Sequence, residues 1–130
     1  MSNLLHVGLD VGSTTVKIVV MDDKLNTIYR DYQRHFSDTK NTVCNVLEGL
    51  AIKYPDNEFT IALTGSGAMS AAKFLDLPFI QEVVSCKRAV EKYIPKTDVV
   101  IELGGEDAKI IYFDKSIEQR MNGSCAGGTG

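Results

Sequence analysis

The 130-residue sequence predicts an α/β protein in which a β-meander is followed by helices and then by a second, similar meander. The chain opens with consecutive β-rich runs, and two later stretches carry apolar residues at helical spacing. The opening pattern of apolar strand, acid, glycine and lysine then returns, since "VGLDVGSTTVKIVV" at 7–20 aligns with "VVIELGGEDAKIIY" at 99–112. In that alignment Asp10 matches Glu102, Gly12 matches Gly104 and Lys17 matches Lys109.

The elements follow in order. "LLHVGLDVG" is an apolar run ending at glycine, "TTVKIVVMDD" is rich in β-branched residues, and "TIYRDYQRHF" carries aromatics after the turn-like "DDKLN". Together they read as three antiparallel strands. Val43, Leu47, Leu50 and Tyr54 then mark one face of a helix, with Ser37 or Asp38 as N-cap and Pro55 as the stop. "FTIALTGSG" is a buried strand running into a glycine turn, and "AMSAAKFL" a short helix before Pro78. Val83, Cys86, Val90 and Tyr93 give a second helical face, closed by Pro95. Residues 98–121 read as strand, glycine turn, strand, "DKS" turn and strand. Those strands have no helix of their own in this reading, so they are expected to pack on the first domain, pair with another copy or be poorly ordered.

The composition excludes several functions. Hydrophobic residues make 44% and charged residues 24%, which suits a soluble domain, and at this length one compact unit is the default. A net charge of -3 gives no basic footprint, so neither nucleic acid nor an anionic membrane surface is an expected partner. There is no apolar run of the roughly 18 residues a span requires, and no secretion signal at the N-terminus. Three widely spaced cysteines make no disulfide framework, and a cytoplasmic protein is expected.

Three stretches could carry chemistry. In "LDVGSTTVK" a carboxylate, Asp10, ends an apolar strand beside Gly12, Ser13 and Thr14. Such a turn can cradle phosphate while the carboxylate holds Mg²⁺ through water. The stretch matches neither G-x-x-x-x-G-K-[ST] nor G-x-G-x-x-G, and a plain hairpin with a solvated Asp is the simpler alternative. In "IELGGEDAK", Gly104 and Gly105 could offer backbone N–H groups to a terminal phosphate, with Glu102, Glu106 and Asp107 orienting water or metal. Clustered acids would repel a polyphosphate unless a cation lay between them, so Mg²⁺ is required. "TGSG" at 64–67 is a weaker signal, compatible with a strand-to-helix turn of no special chemistry.

The third stretch is "MNGSCAGGTG", where Cys125 has little apolar cover among its glycines. A nucleophile or a metal ligand are the open alternatives. The two histidines, His6 and His35, fall on predicted strands with no visible link to it, and an iron–sulfur site needs about four thiolates. Cys44 and Cys86 read as packing residues within helices.

"GLDVGSTTVK", "LTGSG", "IELGGEDAK" and "MNGSCAGGTG", in this order, resemble the ATP-dependent activators of 2-hydroxyacyl-CoA dehydratases, whose family includes the ATPase subunits of benzoyl-CoA reductases. The resemblance covers essentially the whole chain. It implies the ribonuclease-H-like superfold shared by actin, sugar kinases and heat-shock chaperone ATPases, in which two domains close on ATP. Residues 1–96 would form the first subdomain and 97–130 the start of the second. It further implies that Asp10, Gly12, Ser13, Thr14 and Lys17 form the first phosphate motif, and Glu102, Gly104, Gly105, Glu106 and Asp107 the second. Cys125 matches the cysteine that ligates a [4Fe–4S] cluster bridging a homodimer. The implied function couples ATP hydrolysis to one-electron transfer, from a ferredoxin or flavodoxin to a dehydratase-type enzyme.

At Ser66, Ala68, Glu106 and Ser124 the chain departs from the short activators and looks more like the long fused members. The 130 residues read as an N-terminal piece that is inactive alone. Two alternatives share the phosphate motifs: a small-molecule kinase of the N-acetylhexosamine type, and a non-catalytic actin-like module that ATP switches. The kinase has no use for the cysteine loop at 123–130.

Overall fold

The computed structural model describes residues 3–104, 107–113 and 117–123. They form two compact units, residues 1–81 and 82–130. The default of a single unit is not met, because the strands hydrogen-bond into two separate sheets.

In the first unit, β1 (Leu4–Val11), β2 (Thr15–Met21) and β3 (Thr27–Arg34) make the expected antiparallel meander, and β4 (Glu58–Thr64) adds to β1 in parallel. The sheet order is β3-β2-β1-β4. Alternation decides which face is covered: Leu5, Val7, Leu9 and Val11 of β1 and Val16, Ile18 and Val20 of β2 are buried, while Gly8, Lys17 and Val19 between them are exposed. Two helices supply the cover. From α1 (Thr39–Lys53) come Val43, Val46 and Leu50, and from α2 (Ala68–Leu75) come Ala68, Ala71 and Ala72. The small residues of α2 let it approach closely.

Local chemistry fixes the element ends. Between β2 and β3 the Asp22 carboxylate accepts the N–H groups of Lys24 and Asn26, both at 2.9 Å. The Asn26 N–H above all holds this carboxyl below its ordinary range. Asp38 precedes α1 as expected, though its side chain accepts from the Asn41 amide and makes no cap bond to the backbone. Tyr54 ends the helix ahead of Pro55. α2 ends on Asp76 in the left-handed conformation (φ 53°), ahead of Pro78.

The second unit contains α3 (Glu82–Tyr93) and an antiparallel sheet of β5 (Val99–Leu103), β6 (Asp107–Phe113) and β7 (Ile117–Gly123). α3 groups with these strands, which the sequence reading left without a helix of their own. Glu82 of α3 grips Lys109 of β6 at 2.6 Å, and Lys109 is only 3% exposed. The predicted apolar face of α3 is only half covered, with no residue fully buried and Tyr93 exposed. On β5, Val99, Ile101 and Leu103 are exposed along one face.

Leu9 is 1% exposed at the centre of the first core, whereas Ile52 on α1 is 80% exposed. Leu9→Ala should lower the unfolding free energy by about 2–5 kcal/mol, and Ile52→Ala by no more than about 0.5 kcal/mol. Urea denaturation midpoints of the two variants check the difference.

Candidate functional site

Parallel pairing of β1 with β4 brings their C-terminal ends to one edge of the first sheet, with Asp10 in register with Thr64. Beyond those ends lie the β1–β2 turn, Gly12 to Thr14, and the β4–α2 turn, Gly65 to Gly67. The two turns are bonded together, since the Gly67 N–H donates to the Val11 carbonyl at 2.8 Å. Gly65 has φ +107°, and a Cβ on it would lie 2.3 Å from the Val11 carbonyl oxygen and 2.6 Å from Asp10 Oδ1. Only glycine fits there. The "TGSG" turn, a weak signal in the sequence, is thus the backing of the Asp10 hairpin.

The hairpin is closed by the Gly12 N–H, which donates to the Thr15 carbonyl at 2.8 Å. Gly12 has thereby spent its own donor, and what the turn can offer an anion comes from Ser13 and Thr14. Both are exposed, and among the described residues neither backbone N–H has an acceptor. Asp10 and Lys17 are directly paired across the hairpin and form a loose ion pair at 3.6 Å, with 41% and 53% of their side chains exposed. Thr64 Oγ1 is buried at this edge without a hydrogen-bond partner.

One side chain that sequence reasoning placed on a strand lies elsewhere. His35 follows the end of β3, is 6% exposed, and bonds the hairpin turn. Its Nε2 lies 3.0 Å from the Gly12 carbonyl oxygen, and its backbone N–H donates to the Thr14 carbonyl at 3.1 Å. Its place is explained by residues 23 and 21 positions away in sequence, a relation that no local pattern carries.

In the second unit, Glu102 pairs with Lys109 across β5 and β6, which is the register of Asp10 with Lys17. The duplication read from the sequence is therefore present in the backbone. Gly104 follows β5 and is exposed, and the backbone of Asp107 opens β6 opposite Gly123. Gly105, Glu106 and Cys125, and the side chain of Asp107, lie outside the described residues. Cys86 is half-buried on α3; burial first, and then the Glu102 charge, push its thiol above the ordinary range, with Lys109 opposing. Such a thiol is a poor nucleophile at neutral pH.

Among the described residues no cluster of His, Cys, Asp and Glu could by itself enclose a metal ion, and no helix is long and apolar enough to cross a membrane. A single carboxylate beside hydroxyl and backbone donors is nevertheless the oxygen-rich kind of setting that suits hydrated Mg²⁺ with a phosphate chain.

The family model of the BadF/BadG/BcrA/BcrD ATPases matches residues 7–130. The chain belongs to this family. It is 31% identical over 134 residues to the (R)-2-hydroxyglutaryl-CoA dehydratase activating ATPase of Acidaminococcus fermentans, covering 98% of this chain and 50% of that protein. Among solved structures, the activator of the 2-hydroxyisocaproyl-CoA dehydratase from Clostridium difficile with bound ADPNP superposes with a TM-score of 0.76 at 28% identity. That match covers 95% of this chain and 47% of the activator. An exopolyphosphatase from Cytophaga hutchinsonii, at 13% identity, covers 95% of this chain and 51% of its own, with a TM-score of 0.63, and shares the fold alone. The fold is thus the actin-like, ribonuclease-H-like α/β class that the motif resemblance implied. This BadF/BadG-family chain spans about half the length of the curated relatives it matches.

The conformation of Gly65 sets the tolerance of this site. Gly65→Ala should cost about 1–3 kcal/mol in backbone strain and about 1–3 kcal/mol more in overpacking against Val11. Gly49→Ala, within α1 where a Cβ would meet nothing within 4 Å, should instead stabilise by about 0.4–1 kcal/mol. Thermal unfolding of both variants checks the opposite signs.

Proposed function

We propose that this chain is the leading ATP-binding part of an ATP-dependent activator that energises a 2-hydroxyacyl-CoA dehydratase-type enzyme. One observation carries the reading: in a chain of this ATPase family, the Asp10 hairpin ends in exposed Ser13 and Thr14 with uncommitted N–H groups, backed by a turn that only glycine can form. The Clostridium difficile activator, which superposes on it, was solved with ADPNP bound.

The roles follow from the chemistry of each group. Ser13 and Thr14 supply N–H and hydroxyl donors to phosphate oxygens, and Gly12 closes the hairpin that presents them. Lys17, only loosely paired, adds a cation for the phosphates. Asp10 holds Mg²⁺ through water, which neutralises charge on the polyphosphate. Gly104 and Gly105 form the second phosphate motif, with Glu102, Glu106 and Asp107 orienting the attacking water. Phosphoryl transfer needs little covalent help, so positioned donors, one cation and one acid suffice.

The finer part of the proposal concerns the electron. Cys125 holds one corner of a [4Fe–4S] cluster shared between two copies of the full protein, and that cluster supplies low-potential one-electron chemistry when bound. ATP binding and hydrolysis bias a two-state arrangement of the dimer, and a ferredoxin or flavodoxin provides the electron. The protein works in the cytoplasm.

Two measurements on the full-length protein, purified without oxygen, check this reading. Asp10→Ala should reduce Mg-dependent ATP hydrolysis by at least about a hundredfold with an unchanged circular dichroism spectrum; retained hydrolysis would remove Asp10 from the site. Iron and acid-labile sulfide analysis should give about four irons per dimer, lost in Cys125→Ala. A colourless wild type that still hydrolyses ATP and resists reconstitution would leave the ATPase standing and eliminate the electron transfer.

A further inference from the structure

His35 is a buried imidazole that the ATPase chemistry above does not use, and it makes two hydrogen bonds to the hairpin turn. Its Nδ1 accepts the Ser37 backbone N–H at 3.1 Å, so the ring proton must sit on Nε2. That proton is donated to the Gly12 carbonyl at 3.0 Å. The backbone N–H of the same residue takes the Thr14 carbonyl at 3.1 Å. A single residue therefore captures the two carbonyls that bracket Ser13.

Planarity of the peptide bond gives this capture a consequence. In a trans amide the C=O and the N–H point in opposite directions, so a Gly12 carbonyl fixed on His35 fixes the Ser13 N–H away from it. The same two bonds keep carbonyl lone pairs away from an anion at the turn. The local backbone is strained to allow this, since Phe36 (φ 48°) and Ser37 (φ 64°) are consecutive non-glycine residues in the left-handed region. That turn brings the Ser37 N–H onto the ring and lets the Asp38 N–H donate to the His35 carbonyl at 2.7 Å, just before α1 begins.

We propose that His35 is a positioning residue for phosphate binding: as the neutral Nε2–H tautomer it clamps the Gly12 carbonyl and so aims the Ser13 N–H at the nucleotide's phosphates. This rests on the reading of Ser13 and Thr14 as the phosphate turn. It assigns no proton transfer to the ring.

The test is calorimetric titration of Mg-ATP and of adenosine into the full-length wild type, His35→Phe and His35→Gln. Phe keeps the bulk of the ring without its donor, and should weaken Mg-ATP about tenfold while leaving adenosine unchanged. The Gln amide can still donate to the Gly12 carbonyl, and should recover most of the loss. Mg-ATP affinity unchanged in His35→Phe, or an equal loss for ATP and adenosine with no rescue by Gln, overturns the proposal. A wild type that binds no Mg-ATP overturns the ATP-site reading and this one together. Should His35→Phe fail to fold, nitrogen-15 spectra of ring-labelled wild type decide: His35 resonances that move with Mg-ATP and not with adenosine support the clamp, and resonances that ignore both overturn it.

Discussion

The first unit is organised around a contact that forbids a side chain. With β1 and β4 parallel and in register, the chain leaving β4 must turn directly behind the end of β1, where the Val11 carbonyl and Asp10 carboxylate already stand. Gly65 resolves the conflict by being glycine with φ +107°. The Gly67 N–H can then reach the Val11 carbonyl, α2 starts at Ala68, and its alanines seal the core beneath the sheet. Core, hairpin and helix start thus share one dependency, because a Cβ at position 65 would separate the two turns.

The two hairpins show how one backbone plan carries different electrostatics. Asp10 faces Lys17, and Glu102 faces Lys109, in the same register. Lys17 is half exposed and its ion pair is long, so each partner stays available to a third group. Lys109 is buried, and its ammonium lies 2.6 Å from Glu82 of α3. A buried ammonium needs such a partner, because losing it would leave an uncompensated charge. The lysine of the second copy has thus become an anchor between helix and sheet within its own unit.

Much of this was legible in the sequence, and what was missed has a common cause. Strand alternation and helical spacing gave the elements, because burial on one face writes itself into local periodicity. The repeat of acid, glycine and lysine gave the shared register. The parallel partner of β1, the role of "TGSG" and the placement of His35 were not legible, since each depends on residues far apart in sequence. Gly65 is one glycine among several until the Val11 carbonyl is placed beside it. His35 reads as the end of an aromatic strand until Phe36 and Ser37 adopt positive φ and fold it inward. The α3 face misled in the other direction: Val83, Cys86, Val90 and Tyr93 keep perfect spacing, yet Tyr93 points its ring into solvent. Periodicity reports which side of a helix can be buried, and the amount of cover depends on what lies opposite.

A chain with net charge -3 that is to hold a polyphosphate must solve an electrostatic problem locally. On the proposed reading the first hairpin does so with dipoles more than with charge. The ion pair of Asp10 with Lys17, at 3.6 Å between half-exposed groups, is worth at most about 1 kcal/mol, so it neither locks the lysine nor neutralises the acid permanently. Backbone N–H groups, by contrast, cost no reorganisation when an anion arrives, provided that they already point the right way. Orientation is therefore the quantity that the fold has to protect at Ser13 and Thr14. The bonds that protect it are all made behind the turn: Gly12 to Thr15, Gly67 to Val11, and His35 to Gly12 and Thr14. Each engages a backbone carbonyl, and on the proposed reading this leaves the Ser13 and Thr14 N–H groups as the donors that the turn offers to a phosphate.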